Sequence, residues 1–370
     1  MNEPVTLFLS GDVMTGRGID QALPYPGDPQ LHEPSVDDAA EYVQLAERAN
    51  GPLPRPADFG YIWGEALDVF QGEKPQAKII NLETAITRSD THWQSKDVHY
   101  KMNPENIACL TAAGIDCCAL ANNHTLDWGI PGLLETLNSL DKVAIKHAGA
   151  GRNLREAREP AILEIRQGVR IIVFSLGSTS SGIPVEWSAQ EDRPGVNVID
   201  NQLNDPIRSL VNQINGIRRQ GDIVMVSIHW GGNWGHNIPA NQHRLAHRLI
   251  DEAGADIIHG HSSHHVKAIE VYKERLILYG CGDIINDYEG ITGYEHFRGD
   301  LGLMYFADVE PRTGKLHALR MAPTQIRRFR VNHASKVDSR WLEALLNRDG
   351  KRFGTGVHRR ADNLMTLGWS

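Results

Sequence analysis

The sequence predicts an α/β fold in which strands are covered by helices on both faces. Short runs of isoleucine, valine and leucine alternate with amphipathic segments along most of the chain. Most of these runs show no alternation of polar and apolar residues, which is typical of strands buried on both faces. Polar residues then collect directly after the runs, where the carboxyl ends of parallel strands meet in such a fold.

Seven apolar runs are predicted as strands, and each is bounded by turn-forming or polar residues. A helix is predicted over 103–114, with Asn103 as the N-cap, Pro104 in the first turn and Gly114 as the stop signal. A second helix is predicted at 239–253. The predicted strands cover residues 5–10, 77–82, 116–121, 169–176, 222–229, 255–259 and 276–280.

One domain with two additions accounts for this order of elements. The main domain is predicted over residues 1–300, and a segment at about 24–60, proline-rich at both ends, is predicted as an insertion over one face. Residues 301–370 are predicted as a C-terminal extension that packs on the same domain and contains a closing helix near 339–349. A chain of 370 residues is long enough to bury a sizeable core.

Composition and charge argue against several classes of protein. The net charge of −8 disfavours a nucleic-acid-binding protein, which usually carries a basic excess. The N-terminal stretch MNEPVTLFLSGDVM has no basic leader, and no apolar segment has the length of a transmembrane helix. The four cysteines show no CxxC spacing and lie in apolar contexts, as in reduced proteins. We therefore expect a cytoplasmic protein with no nucleic-acid partner and no membrane span.

Carboxylate, amide or imidazole side chains follow or end five of the predicted strands. Little else in those strands is polar. Because the carboxyl ends of the strands converge in an open α/β sheet, we expect these side chains to form one site. The polar strand ends carry Asp12, Glu83, the run Asn122, Asn123 and His124, then His229, and finally His261 and His264.

Histidines are concentrated near the last two of these strand ends. The stretch HGHSSHH at 259–265 contains four of them. His261 and His264 are predicted as ligands, because imidazole is the commonest protein ligand for metals. His259 still lies in the predicted strand and is expected to support the site or pack in the core. For His265 the sequence leaves both readings open.

Other motifs in this part of the chain are weaker. His243 and His247 lie four residues apart on a predicted helix, but HRLAH lacks the glutamate of an HExxH motif, so we expect them to face solvent. The run GCGD at 280–283 lacks the third glycine of a dinucleotide-binding loop, and Asp283 is predicted as a supporting group beside the site.

The predicted ligand set mixes oxygen and nitrogen atoms and contains no thiolate. Such a set suits one or two divalent transition-metal ions, Mn, Fe or Zn. Glu83 can bridge two ions, a geometry that generates metal-bound hydroxide. His124 is placed to protonate a leaving alkoxide, and Asp127 can orient that imidazole. The predicted ligands are Asp12, Glu83, Asn123, His229, His261 and His264.

Four further side chains are predicted to contact a substrate. Arg17 follows the first polar strand end and is suited to hold a phosphate or a carboxylate, and Asn122 lies beside the predicted ligands. Trp230 and Trp234 belong to the run HWGGNWG. They either line a substrate cleft or pack under the loop, and the sequence leaves this alternative open.

Five motifs occur in one order between about residues 7 and 290: GDVM, NLETAIT, ANNHTLDWG, IHWGGNWG, and GHSSH followed by IEVYKERLILYGCGD. Together they resemble the CapA/PgsA poly-γ-glutamate biosynthesis family of the calcineurin-like metallophosphoesterase superfamily. The resemblance implies a four-layer α/β/β/α sandwich of the metallophosphoesterase type with a metal site at the strand ends. It also implies that the six predicted ligands occupy the ligand positions of the family and that His124 is the proton donor.

The sequence departs from the usual superfamily pattern at three motifs. Met14 stands where an Asp-x-His motif has its histidine, which removes one ligand. NLE replaces the Gly-Asp of the second motif, and GHSSH is longer than Gly-His-x-His. The number of bound ions, one or two, therefore stays open.

Three functions are compatible with such a site. The first is a metal-dependent hydrolase, specifically a phosphoesterase in which metal-bound hydroxide attacks a small-molecule phosphoester and His124 acts as general acid. The second is a non-catalytic or assembly role in the biosynthesis of poly-γ-glutamate or another capsule-type anionic polymer. The third is hydrolysis or ligation of an amide bond, because a metal site does not by itself choose phosphorus over carbonyl carbon.

Overall fold

Two large sheets form the centre of the computed structural model, which describes residues 3–199 and 206–370. Two small two-stranded sheets accompany them. The strands of the described residues are, in chain order, β1 (Val5–Val13), β2 (Ala77–Leu82), β3 (Ala85–Ile86), β4 (Lys101–Met102), β5 (Cys117–Ala119), β6 (Lys146–Ala148), β7 (Ala150–Gly151), β8 (Ala161–Arg166), β9 (Val169–Gly177), β10 (Gly195–Val196), β11 (Ile223–His229), β12 (Ile257–His261), β13 (Ile269–Tyr272), β14 (Arg275–Leu278), β15 (Asp283–Ile285), β16 (Leu301–Val309), β17 (Leu316–Ile326), β18 (Val331–His333), β19 (Thr355–Arg359) and β20 (Met365–Trp369).

The first sheet has the strand order β19-β20-β17-β16-β1-β2-β5-β6, with β15 beside β1 and β18 beside β17. Strands β1, β2, β5 and β6 are parallel, whereas β16 and β17 continue the sheet in antiparallel fashion. The second sheet has the order β13-β14-β12-β11-β9-β8, and β9, β11, β12 and β14 are parallel. Each sheet therefore brings the carboxyl ends of several parallel strands to one edge.

Helices cover the outer faces of the two sheets. The described residues contain the α-helices α1 (Gly18–Ala22), α2 (Ala40–Asn50), α3 (Ala66–Glu73), α4 (Ala108–Ala112), α5 (Gly129–Lys142), α6 (Leu154–Arg158), α7 (Pro206–Ile217), α8 (Ala240–Asp251) and α9 (Lys336–Gly350). Apolar residues of α2 to α5 pack on the first sheet, and those of α7 and α8 pack on the second. No helix in the described ranges combines the length and the apolar character needed to cross a membrane.

Alternating side chains of the central strands separate three apolar layers. In β1, Leu7 and Leu9 pack between the two sheets, whereas Phe8 packs under the outer helices of the first sheet. In β9, Ile171 packs between the sheets and Ile172 packs under α7 and α8. This alternation follows from the two-residue period of a strand. The fold is therefore a four-layer α/β/β/α sandwich, which confirms the predicted fold class.

The predicted strands lie where the observed strands lie, with shifted ends. Strand β2 has the predicted bounds, whereas β1 extends to Val13 and β12 extends to His261. Strand β12 continues because it pairs in parallel with β11 as far as the pair His229 and His261. Strand β5 is shorter than predicted and ends at Ala119, so residues 122–124 lie in a turn beyond it.

The predicted helices are also observed, with one difference. The segment after Asn103 begins as a 3-10 turn, Pro104–Ile107, before α4 follows. The Asn103 side chain accepts a hydrogen bond from the backbone N–H of Glu105 at 3.1 Å, as expected of an N-cap. Helices α8 and α9 coincide with the two other predicted helices within three residues at each end.

The additions to the main domain are well packed. Helix α2 lies in the segment predicted as an insertion, and Tyr42 and Val43 belong to the apolar layer over the first sheet. Residues 301–370 contribute β16, β17, β19 and β20 to the first sheet, and Leu342 of α9 packs between the sheets. The division of the chain at residue 300 stays a prediction. All four cysteines are buried free thiols.

Candidate metal centre

The strand ends of both sheets meet at one buried cluster of polar side chains. Asp12 pairs in register with Asn81 of β2 on one side and with Asp283 of β15 on the other. His229 and His261 are register partners on β11 and β12. The structure thus brings together all six predicted ligands, in a site whose members are buried except for the partly exposed Asn123.

Two groups of three side chains have donor atoms close enough to share an ion. Asp12, His229 and His261 offer atoms that all lie within 4.8 Å of one another. Asp12, His264 and Asp283 form a second such group. Because Asp12 belongs to both, the two groups are adjacent, as in a site that holds two ions.

Glu83 and Asn123 complete this cluster from the ends of β2 and β5. Glu83 Oε1 lies 3.8 Å from His229 Nε2 and 3.7 Å from His124 Nε2. Asn123 Oδ1 lies 2.9 Å from His229 Nε2. Asn81 Nδ2 donates to Asp12 Oδ1 at 2.7 Å, which fixes the orientation of that carboxylate. Glu83 and Asn123 therefore both lie against His229.

Burial and mutual repulsion act strongly on the carboxyl groups. Burial, followed by the charge of Asp283, raises the pKa of Asp12 to about 7. Burial and the charge of Asp12 also raise the pKa of Glu83 well above its usual value. Three carboxyl groups with at most 1% exposure thus share a small volume. A divalent cation there would favour their ionised forms, so this part of the site fits a metal ion.

The histidines of the cluster divide into two electrostatic classes. Burial lowers the pKa of His229 and His261 well below the usual value, so both are neutral imidazoles, the form that binds metals. Burial would also lower the pKa of His264, but Asp283 and Asp12 raise it. His264 Nδ1 lies 3.0 Å from Asp283 Oδ1. The donor set as a whole therefore fits a divalent transition-metal ion.

His124 and Asp127 form a separate pair beside the ligands. His124 Nδ1 lies 2.6 Å from Asp127 Oδ2, which matches the predicted orienting contact. Burial lowers the pKa of His124 to about 4. Burial alone would raise the pKa of Asp127, but His124 and Lys96 hold it below its usual value. Neutral His124 therefore presents Nε2 toward Glu83 while Nδ1 is held by the carboxylate.

Lys96 is a member of this group that the sequence did not indicate. Its Nζ lies 2.5 Å from Asp127 Oδ1 and 3.2 Å from His124 Nδ1, and it also contacts the backbone carbonyl of Asn123. The backbone N–H of Tyr100 donates to Asp127 at 2.7 Å. Residues 93–99 form an irregular segment beside His124. Because the segment has no helix or strand periodicity, the sequence could not indicate the contact of Lys96 with Asp127 and His124.

Asp283, predicted as a supporting group, lies in direct contact with the predicted ligands. It begins β15, which pairs with the end of β1, so its carboxylate lies beside Asp12 and His264. Met14, at the position where a histidine ligand is usual, instead contacts the hydroxyl of Tyr288 through Sδ at 3.7 Å. The run of apolar residues before GCGD is the signal that could have placed Asp283 at the same edge.

The four predicted substrate contacts are in different environments. Arg17 and Trp234 line a cavity of about 670 Å³, together with His264, Tyr288 and Tyr294. The guanidinium of Arg17 is already engaged by Asp287 at 2.5 Å and Glu33 at 3.0 Å, and it lies 3.9 Å from the Tyr42 ring centre. The Trp234 ring stacks on the exposed Tyr294, with ring centres 4.5 Å apart.

The two other residues of this set lie inside the protein. Asn122 donates to Asn81 Oδ1 and to the Leu82 carbonyl, and its own Oδ1 accepts from the His124 backbone N–H. Trp230 is 2% exposed, and its indole N–H donates to the Tyr279 carbonyl at 3.0 Å. Trp230 therefore packs inside the protein and Trp234 lines the 670 Å³ cavity, and substrate contacts by Arg17 and Trp234 stay predictions. A substrate contact by Asn122 stays a prediction.

The histidines that were not assigned as ligands support their neighbours. His259 Nε2 lies 2.7 Å from the Ser10 carbonyl oxygen, and its Nδ1 lies 3.1 Å from Ser227 Oγ. His265 accepts a hydrogen bond from the backbone N–H of Gly235 and stacks on Trp234. Both rings therefore hold the strand and loop that carry the predicted ligands.

The four-layer α/β/β/α sandwich with buried carboxylates and imidazoles at its strand ends is the arrangement expected of the metallophosphoesterase type. The family model described as "Bacterial capsule synthesis protein PGA_cap" matches residues 6–288, and the chain belongs to this family. The matched range contains all six predicted ligands together with His124 and Asp127. The resemblance inferred from the motifs is thereby confirmed.

Three named relatives are similar to this chain, and their names also refer to polymer or capsule synthesis. The chain is 46% identical over 364 residues to a "Probable polyglutamine synthesis accessory protein" of Mycobacterium tuberculosis, an alignment covering 98% of this chain and 96% of that protein. It is 28% identical over 278 residues to the "PGA biosynthesis protein CapA" of Bacillus subtilis, covering 75% of this chain and 62% of that protein. For the "Capsule biosynthesis protein CapA" of Bacillus anthracis, identity is 24% over 286 residues, with coverages of 77% and 61%.

Proposed function

We propose that this protein is a metal-binding accessory component in the synthesis of a polyglutamate-type anionic polymer. The observation that carries the proposal is the position of His264. Its side chain belongs to the candidate ligand cluster and also lines the 670 Å³ cavity, so a chain bound in the cavity reaches the metal centre. The names of two relatives support a role in polymer synthesis: one is a probable polyglutamine synthesis accessory protein and the other a PGA biosynthesis protein.

The residues that would hold an ion follow from the two donor groups. One ion would be held by Asp12, His229 and His261, and a second by Asp12, His264 and Asp283. Glu83 and Asn123 lie against the first group. When bound, Mn, Fe or Zn ions supply positive charge that attracts anionic oxygen atoms and activates water. We propose that the site binds either one or two of these ions.

One part of the cavity wall, around Arg327, suits a carboxylate side group of a bound chain, although four acidic side chains also line the cavity. Trp234 and Tyr294 form a stacked aromatic surface on one side. Arg327 lines the same cavity, is exposed, and donates its Nε–H to the amide oxygen of Asn50 at 3.0 Å. Within the described ranges Arg327 forms no ion pair, so its charge is available to a polymer carboxylate.

Binding of poly-γ-glutamate to the full chain tests this function. We expect calorimetric titration to show binding to protein loaded with Mn²⁺ or Zn²⁺, and little binding after EDTA treatment. His264→Ala should abolish the dependence on the ion, whereas His317→Ala, at an exposed position of β17, should leave it unchanged. Equal binding by loaded and metal-free protein, or none by either, would overturn the proposal. We also propose that the protein is cytoplasmic, and cell fractionation would test this location.

Hydrolysis of a phosphoester is a second candidate, and the group of His124, Asp127 and Lys96 is the observation that favours it. Asp127 fixes the His124 ring through Nδ1, which leaves Nε2 to hold or release a proton on the side of Glu83. An anionic substrate beside the ring would raise the His124 pKa from about 4 and favour the proton-donating form.

A screen of phosphomonoesters and phosphodiesters with Mn²⁺, Fe²⁺ and Zn²⁺ separates the two candidates. Turnover that falls sharply in His124→Gln, at unchanged metal content, would establish the hydrolase and the role of His124. Polymer binding without turnover of any ester would support the accessory role alone. A change in the length of added poly-γ-glutamate would instead assign amide-bond chemistry to the site.

A further inference from the structure

A second cluster of metal-type ligands lies outside the site described above. His243 and His247 of α8 and Glu270 of β13 have donor atoms that all lie within 4.8 Å of one another. His247 Nε2 is 2.9 Å from Glu270 Oε1, and His243 Nε2 is 3.6 Å from Glu270 Oε2. Both histidines were expected to face solvent; they are partly exposed, and their ring nitrogens also converge on one carboxylate.

The spacing of these residues explains the convergence. Residues four apart on a helix lie on the same face, so His243 and His247 point the same way, with ring centres 4.1 Å apart. On β13, Ile269 packs between the two sheets. Because side chains alternate along a strand, Glu270 points to the opposite face, toward α8. An acidic residue thus lies on the helix-facing side of a sheet that is otherwise covered by an apolar layer.

Glu270 is buried, and neighbouring side chains hold its carboxylate in place. Its exposure is 6%, and burying a carboxylate is costly unless it is paired. The hydroxyl of Tyr279 donates to Glu270 Oε2 at 2.6 Å, which fixes the carboxylate. The Tyr272 ring stacks on His247 with centres 3.6 Å apart, and Phe353 stacks on His243 at 5.8 Å. All three donors are therefore held in place by side chains that are not ligands themselves.

We propose that His243, His247 and Glu270 form a second metal site, which binds Zn²⁺ or a related divalent transition metal. Two imidazoles and one carboxylate are a common zinc ligand set that leaves coordination positions open. A cavity of about 500 Å³ beside His243 and Glu270 gives room for water or a further ligand at those positions. The side chains of His243 and His247 are 39% and 22% exposed, so an ion can enter from solvent. The bound ion would join α8 to the edge strand β13.

Metal titration of the EDTA-treated full chain with Zn²⁺, and with Co²⁺ for its absorption spectrum, tests this site. We expect Glu270→Gln and His243→Ala each to bind one equivalent fewer than the wild type. Gln keeps the shape of Glu270 and an acceptor for Tyr279, and His243 lies on the helix surface where Ala is well tolerated. His358→Ala, at an exposed position of β19, is the control and should bind as the wild type does.

A variant at the candidate metal centre separates the two sites. Asp12→Asn should lose metal binding at the candidate metal centre and retain the Zn²⁺ equivalent that depends on Glu270. The double variant Asp12→Asn/Glu270→Gln should lose both. Zn²⁺ should also slow amide hydrogen exchange in α8 of the wild type but not of His243→Ala. Unchanged stoichiometry in both Glu270→Gln and His243→Ala would overturn the second site, whatever Asp12→Asn shows.

Discussion

His229 and His261 lie opposite each other on neighbouring parallel strands, with their Nδ1 atoms 2.8 Å apart. The other ring nitrogen of His229 lies 2.9 Å from Asn123 Oδ1, and that of His261 lies 2.8 Å from Ser227 Oγ. Each ring is thus fixed at both nitrogens, and burial keeps both rings neutral. Such a pair is preorganised for an ion, because little reorientation is needed before it can bind.

Removal of this pair should therefore remove bound metal. We expect His261→Ala and His229→Gln each to lower the content of divalent transition metal, measured by elemental analysis of tag-free protein reconstituted with Mn, Fe or Zn ions. His317→Ala is the matched control, because that histidine is exposed on β17. Circular dichroism should show folded protein in all variants. A metal content equal to that of the wild type in both variants would contradict the assignment.

Lys96 should contribute to stability as well as to the position of His124. Its ammonium group compensates the buried carboxylate of Asp127, and the Lys96 side chain is itself only 13% exposed. We expect Lys96→Met to lower the free energy of unfolding by about 2 kcal/mol, because Asp127 keeps its burial but loses a charged partner. Chemical denaturation would measure this.

Two comparisons make the Lys96 measurement specific. Lys146→Met changes an exposed lysine and should alter the free energy of unfolding by less than about 0.5 kcal/mol. Lys96→Arg keeps the charge and should recover part of the loss. If Lys96→Met is as stable as Lys146→Met, the contact with Asp127 has no energetic weight.

The meeting of polar side chains at the strand ends could be predicted because both facts behind it are local. A buried parallel strand is an uninterrupted apolar run, and the residue that ends the run lies at the carboxyl edge of the sheet. Asp12 and His229 follow this rule directly. The layers could also be predicted, since alternating residues such as Leu7 and Phe8 must pack on opposite faces of a sheet.

The remaining contacts depend on separations that no local pattern encodes. Lys96 contacts Asp127 from an irregular segment. Glu270 contacts His243 because tertiary packing brings the edge strand β13 next to α8. The extension of β12 to His261 results from pairing with β11, not from its own residues. Irregular loops and strand neighbours are set by tertiary packing, which overrides local preference.

Asp20 should make stability depend on pH. Its carboxylate accepts hydrogen bonds from the backbone N–H groups of Gly27 and Asn103, and burial raises its pKa to about 6 from 3.8. A carboxyl group whose pKa is higher in the folded state contributes stability below about pH 4, and this is lost as pH rises through about 6. Relative to Asp20→Asn, the wild-type free energy of unfolding should fall by up to about 3 kcal/mol across this window.

Denaturation of both proteins between pH 4 and pH 7 would measure the difference. Asp90→Asn serves as the control, because the Asp90 side chain is 87% exposed and the variant should follow the wild-type pH profile. A constant difference between wild type and Asp20→Asn at all pH values would show that burial of Asp20 does not shift its titration.

Trp230 and Trp234 should respond to substitution in opposite ways, although only three residues separate them. Trp234 stacks on Tyr294 in the cavity wall, so Trp234→Ala should weaken poly-γ-glutamate binding about tenfold while changing the free energy of unfolding by less than about 1 kcal/mol. Trp230→Phe removes the buried hydrogen bond to the Tyr279 carbonyl and should cost about 1–2 kcal/mol of stability, with binding unchanged. Calorimetric titration and chemical denaturation of both variants test this pair. Weaker binding in Trp230→Phe together with wild-type binding in Trp234→Ala would place the polymer outside the 670 Å³ cavity.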